Sequence, residues 1–224
     1  MELVDVEVIA PKVPVESPAT IEAETRCMLE RWSAVEESKH VRSASDALAE
    51  TAQPAAWSGR APRITLCMIA RDEEEFLGEC LQHAQGAFDE FILVDTGSKD
   101  RTVEIAESFG AQVLHQPWED NFSKPRNLGL QAATGDWILV LDADEHIVSG
   151  GCKQIRQLVK DPSALGYHML FTNQHGDGKT AGVMMVRLFR NLPGIEYKNI
   201  IHEQVTPSLQ RIGGPTGPAP LAAG

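Results

Sequence analysis

Two apolar runs in this chain end in carboxylates, and those carboxylates are its plainest chemistry. FILV, residues 91–94, leads into Asp95-Thr96-Gly97-Ser98, and WILVL, residues 137–141, leads into Asp142-Ala143-Asp144-Glu145. A carboxylate at the mouth of a buried strand faces whatever binds there. Asp142 and Asp144 stand at i and i+2, so in extended chain they point the same way and crowd their oxygens into one crevice. Like charges that close repel unless a proton or cation lies between them. An all-oxygen set suits a hard divalent ion, Mg2+ or Mn2+, which commonly brings substrate phosphates with it. The plain alternative is a solvated acidic turn that caps the next helix. Asp95-Thr96-Gly97 also spells the signature of aspartic proteases, in which two carboxylates share a proton. That chemistry needs a second copy, and no second D-[TS]-G occurs in the sequence.

The elements around these residues decide between the readings. Ile64–Ala70 (ITLCMIA) is a continuous apolar run, as expected of a strand covered on both faces. Phe76, Leu77, Cys80, Leu81 and Ala84 fall on one helical face. FILV is the next strand, and a helix starts near Arg101, capped by Ser98 or Asp100 and ended by Gly110. A short strand at Gln112–His115, a helix over 124–133 stopped by Gly135, and the strand WILVL complete the series. Strands alternating with helices predict an α/β fold with a parallel, doubly wound sheet and right-handed crossovers. Ligands of such sheets bind beyond the carboxyl ends of the strands, where Asp95, Asp142 and Asp144 would converge. Further on, GYHMLFT and VMMVRLFR read as a hairpin around NQHGDGK, with Arg187 and Arg190 facing solvent. His83 is placed on a helix flank, His146 in the open, and His115 and Trp118 in a loop they shape.

Composition removes several function classes. The net charge is −12, which leaves no basic face for phosphate backbones, so nucleic acid is not an expected partner. No apolar run nears the ~18 residues of a membrane span, and the first residues carry no basic, apolar leader. A soluble, cytoplasmic protein is expected, with membrane association at most peripheral. Cys67 and Cys80 lie on apolar faces and read as buried thiols of a reducing compartment. Residues 1–61 read as an acidic N-terminal extension, partly disordered or helical, with a helix near 20–39. Residues 62–206 form the folded domain, and 207–224 a flexible Gly/Pro/Ala tail.

Over residues 63–205 the chain resembles the family 2 glycosyltransferases, and within them the lipooligosaccharide β-1,4-glucosyltransferase-like branch. The matching text is ITLCMIARDEEEFLGECL, DEFILVDTGSKDRTVEIAESFGA, FSKPRNLGLQAATGDWILVLDADE and IIHEQV, in that order. The resemblance implies the GT-A (nucleotide-diphospho-sugar transferase) fold, a Rossmann-like, mostly parallel sheet with helices on both faces. It implies a metal-dependent, inverting transfer of a sugar from a nucleotide-diphospho-sugar, a UDP-sugar first, with Mg2+ or Mn2+ on the diphosphate. The acceptor the branch suggests is a lipid-linked or core oligosaccharide, as in lipopolysaccharide biosynthesis; other saccharide or glycolipid acceptors stay open. The alternative is a degenerate transferase that binds nucleotide without turnover. A nucleotidyltransferase would carry a Gly-rich basic loop where this chain has ARDEEE, and a haloacid-dehalogenase-type phosphatase would need its D-x-D on the first strand.

Family roles carry over as follows. Asp95 would accept a hydrogen bond from the nucleobase ring N–H. Ala70, Asp72 and Glu73 would lie against base and ribose, with Asp72 standing where family members often have Asn. Arg126, in KPRN, opens a helix and would favour the donor's anionic part. Asp142 would touch the ribose or share the metal, Asp144 would bind the metal, and Glu145 would cap the next helix. In IIHEQV, Glu203 is the candidate base for the acceptor's proton and His202 a candidate metal ligand. Otherwise both satisfy backbone groups in a loop folded over the donor.

Overall fold

The computed structural model describes residues 4–7, 60–162, 164–174, 180–201 and 203–213. Along them run β1 (Val4–Glu7), β2 (Ile64–Ala70), α1 (Leu77–Ala84), β3 (Glu90–Asp95), α2 (Thr102–Ser108), β4 (Gln112–His115) and α3 (Ser123–Ala132). There follow β5 (Trp137–Val140), β6 (Glu145–Ile147), α4 (Gly151–Leu158), β7 (Gly166–Gln174), β8 (Thr180–Arg190) and α5 (Thr206–Gly213). The strands make one sheet in the order β4-β3-β2-β5-β8-β7-β1-β6. From β4 to β5 all pairings are parallel, as helical crossovers require. The hairpin β7–β8 then enters antiparallel, and β1 pairs antiparallel with β7 and parallel with β6.

The pleat sorts each strand between two apolar layers. Ile64, Leu66 and Met68 of β2 pack with Leu77, Cys80 and Leu81 of α1 and with Ala106 of α2. Cys67 points the other way, into a layer with Ile138, Val140, Phe189, Tyr197, Val205 and Leu209, against which Leu130 of α3 packs. Both faces of the sheet are therefore covered by helix, and its central strands can be apolar throughout.

The amino ends of the central strands are tied by a turn with no room for a side chain. A Cβ on Gly135 would lie 2.6 Å from Thr65 Oγ1 and 2.8 Å from Thr65 N. The Gly135 N–H instead donates to Thr65 Oγ1 at 2.9 Å, while Thr65 donates to Glu90, which also takes the N–H and hydroxyl of Thr134. With β2, β3 and β5 fixed at these ends, their carboxyl ends finish side by side at the opposite edge.

Four readings of the sequence change. The folded chain continues to Gly213 rather than stopping at 206, because Leu209 of α5 closes the second apolar layer. Val4–Glu7 is part of the sheet, with Val6 buried, although it belongs to the stretch read as an extension. The expected helix near 20–39 lies outside the described residues. Glu145 starts a strand instead of capping a helix, and His146 beside it is buried. Arg187 and Arg190 are 7% and 3% exposed, because β8 lies between β5 and β7 inside the sheet. Arg190 donates to the carbonyls of Ala164 and Asp161 and stacks over Trp137 at 4.6 Å.

Candidate active site at the carboxyl ends of the parallel strands

The loops after β2 and β3 are zipped together by reciprocal backbone-to-side-chain bonds. The N–H groups of Asp72, Glu73 and Glu74 donate to Ser98 Oγ, Thr102 Oγ1 and Asp100 Oδ2 at 3.0, 2.7 and 3.0 Å. In return Asp72 Oδ1 takes the Lys99 N–H at 2.7 Å, and Glu74 takes that of Arg101 at 3.0 Å. Asp72 has φ of 57°, a left-handed conformation that Asn and Asp tolerate better than most residues. Asp100 also accepts the Thr102 N–H at 2.9 Å, from one residue before the N-cap of α2, Arg101.

Asp95 ends β3 with a buried carboxylate. Its Oδ1 takes the Ser98 N–H at 3.0 Å; its Oδ2 takes the Gly97 N–H at 3.3 Å and faces His115 Nδ1 at 3.2 Å. Gly97 makes this turn with φ of 114°, a conformation L side chains rarely adopt. Burial alone would raise the Asp95 carboxyl, but the hydrogen bonds from Ser98, His115 and Gly97 outweigh it and hold it below the usual range.

Past the end of β5 an ionic cluster surrounds Asp142. Arg126 Nη2 reaches Asp142 Oδ1 at 2.9 Å, and Arg187 Nη2 reaches Oδ2 at 2.8 Å. The same Arg187 nitrogen pairs with Glu145 Oε1 at 2.8 Å, while Glu145 Oε2 accepts the Asp142 N–H at 2.8 Å. Arg126 in turn holds Glu203 Oε1 through Nε at 2.7 Å and lies over the Tyr197 ring at 5.7 Å. Register explains the convergence. Arg190 pairs with Trp137 and Leu188 with Leu139, so Arg187, one residue before Leu188, comes level with the end of β5. Burial would raise the Asp142 carboxyl, yet the two guanidinium groups pull it far below its ordinary value. Burial pushes Glu145 up, with Arg187 pulling back and the Asp142 charge adding to the rise.

Asp144 is different. It is half-buried, and among the described residues no hydrogen bond or ion pair engages it. Glu73 lies within its field: burial first and the Asp144 charge next push the Glu73 carboxyl upward. Arg126 joins Asp142 to Glu203, the Asp142 and Asp144 charges both act on Glu73, and Ser98 links Asp72 to Asp95, so these residues gather at the carboxyl ends of β2, β3 and β5; His202 lies outside the described residues. Ala70 contributes backbone, its carbonyl accepting the Thr96 N–H at 3.0 Å. Arg126 is not a free guanidinium; it is shared between two carboxylates.

Arg187 and Glu145 were missed as members of the site. The signal lay in VMMVRLFR itself. Arg187 sits between the apolar Val186 and Leu188, and Leu188 and Phe189 are fully buried; an arginine inside a run that enters a sheet interior has to be paired.

Residues 65–198 match the model of Glycosyl transferase family 2. A TPR repeat-containing protein of Synechococcus elongatus is 44% identical over 147 residues, 66% of this chain and 36% of that protein. The SPbeta prophage-derived glycosyltransferase SunS of Bacillus subtilis is 33% identical over 85 residues, 37% of this chain and 20% of that protein. The chain therefore spans about a third or less of these relatives' length. Among solved structures, the mannosyltransferase PcManGT from Pyrobaculum calidifontis, in complex with GDP-Man and Mn2+, shares the fold at 14% identity. Its TM-score is 0.51, over 92% of this chain and 66% of that one.

Proposed function

The chain belongs to glycosyl transferase family 2, and we propose that it transfers a sugar from a nucleotide-diphospho-sugar to a hydroxyl acceptor, with inversion and with a divalent cation. The observation that carries this reading is the contrast between Asp142, clamped by two arginines, and Asp144, two residues on, which has no partner among the described residues. A carboxylate left free beside another acidic side chain, Glu73, is an oxygen donor set that suits Mg2+ or Mn2+. The fold neighbour named with GDP-Man and Mn2+ supports the same class of ligand.

In this reading Asp144 holds the cation, aided by Asp142. When bound, such a cation neutralises charge on the donor's diphosphate. Asp95 lies beside the base, its carboxylate an acceptor for the ring N–H. Ala70, Asp72 and Glu73 line the donor's base and ribose. Arg126 acts mainly by fixing Asp142 and Glu203, to which its Nη2 and Nε are already bonded. Glu203 is the candidate base. Arg126 anchors its Oε1, which leaves Oε2 to accept the proton of the attacking hydroxyl as the new C–O bond forms and the bond to the leaving diphosphate breaks. His202 is kept as a candidate ligand for the cation. A UDP-sugar donor and a saccharide or glycolipid acceptor follow from the resemblance to the lipooligosaccharide branch. Among the described residues no helix is long and apolar enough to cross a membrane.

The test is calorimetric titration with UDP, GDP and CDP, each with and without Mn2+. We expect one nucleotide to bind with a Mn2+-dependent gain, and Asp144→Asn to abolish that gain while thermal stability is retained. An unchanged metal dependence in Asp144→Asn would overturn the assignment. Once an acceptor is found, Glu203→Gln should keep donor affinity and lower turnover about 10²–10⁴-fold.

A further inference from the structure

Glu79 and His83 lie four residues apart on α1, one turn of the same face. His146 of β6 meets them there: one side-chain ligand atom from each of the three residues lies within 4.8 Å of the others. The two imidazoles stack, with centroids 4.6 Å apart and planes inclined by 21°. His146 is 5% exposed, and its Nε2 is buried with no hydrogen-bond partner. A buried polar atom without a partner is costly, and a native structure rarely leaves one unanswered. The donor-sugar crevice uses none of these three residues, and nothing in its chemistry accounts for a buried imidazole on this flank.

We propose that Glu79, His83 and His146 form a second cation site, for a transition-metal ion of the zinc class. Two neutral imidazoles and one carboxylate are a borderline-soft set, which favours Zn2+ over the Mg2+ or Mn2+ suited to all-oxygen ligation. Three protein ligands leave a fourth position to water. Ligand atoms around a tetrahedral zinc stand about 3.3 Å apart, so the cluster closes by a modest inward swing. Glu79 and His83 are both exposed and free to make it. The site would tie α1 to the strand that begins directly after Asp144. α1 is already seated under that turn, with Cys80 Sγ 3.6 Å from the Asp142 carbonyl, and Cys152 of α4 donates to the His83 carbonyl at 3.1 Å. A cation there would brace the acidic turn from behind without touching the donor.

The experiment uses the full chain without an affinity tag, stripped by chelator and equilibrated with Zn2+; bound metal is counted by mass spectrometry and affinity is read by competition with a zinc-binding dye. Co2+ in place of zinc gives a ligand-field spectrum that reports four-coordination independently of activity. One zinc per chain is expected in the wild type and in Asp144→Asn, which separates this site from the crevice. His83→Ala and Glu79→Gln, both on the exposed face of α1, should each weaken zinc roughly tenfold or more with unchanged circular dichroism. His146→Ala is a poorer probe because the ring is in the core. No zinc retained by the wild type, or zinc held equally well by His83→Ala, overturns the assignment.

Discussion

At the end of β3, Asp95 takes two of its three donors from N–H groups two and three residues further along its own loop. At the end of β5, Asp142 is held by guanidinium groups sixteen and forty-five residues away, one on α3 and one on β8. Both aspartates close a central strand at the same edge of the sheet, but the first is assembled locally and the second by docking. The β3 end costs little to build, because a short turn orders few residues. The β5 end buries a cluster of charges, whose desolvation is repaid only when every partner is present. The hairpin β7–β8 therefore completes the charge cluster around Asp142 as well as extending the sheet.

The sharpest way to break this contrast is to remove the distant partner. Arg187→Met should leave Asp142 and Glu145 facing each other with one counter-charge lost, at a cost of about 3–5 kcal/mol in urea unfolding. Adding Glu145→Gln should recover part of the loss, since one uncompensated buried charge is then gone. A single-variant loss below about 1 kcal/mol would mean that water, not Arg187, balances the cluster.

The local end should yield less. Asp95→Ala removes charge-assisted hydrogen bonds, an effect of about 1.5–3 kcal/mol. Its pH signature follows from the depressed carboxyl. A folded-state pKa below the unfolded value of ~3.9 gives stability that is present above that value and lost as pH falls through the folded one. The stability difference between wild type and Asp95→Ala should therefore be full near neutral pH and shrink as the solution is acidified below about pH 4. A difference that stays constant into strong acid would show that the Asp95 charge contributes nothing.

The same contrast explains what could be read before any coordinates. The order of strands from β2 to β5, the helices between them and the strand-end positions of Asp95, Asp142 and Asp144 rest on local periodicity and turn chemistry, and all are present. The free state of Asp144 and the engagement of Arg126 are not legible, because each depends on where Arg187, 45 residues from Asp142, and Glu203, 77 residues from Arg126, arrive. DADEH looks like a turn before a helix, a pattern in which Glu145 would be the cap. Its burial follows from β6 pairing with β1, a partner more than a hundred residues upstream. His146 went into the core for the same reason. Local pattern places a residue at an edge, and only the distant strand order says what meets it there.

Gly97→Ala offers the smallest effect and the cleanest check on the local mechanism. The φ of 114° at Gly97 is unfavourable for any side chain, yet a Cβ built there would meet nothing within 4 Å. The cost is therefore conformational rather than steric crowding, about 1–2 kcal/mol. If that turn exists to aim the Gly97 and Ser98 N–H groups at Asp95, the two positions form one unit. Gly97→Ala combined with Asp95→Ala should then cost less than the sum of the single variants, because once the carboxylate is gone the loop can relax to a conformation an alanine accepts. Urea unfolding of all four proteins gives the cycle directly. Additivity within about 0.3–0.5 kcal/mol would separate the turn from the carboxylate. The end of β3 would then owe its shape to the bonds that zip its loop to Asp72, Glu73 and Glu74 rather than to Asp95.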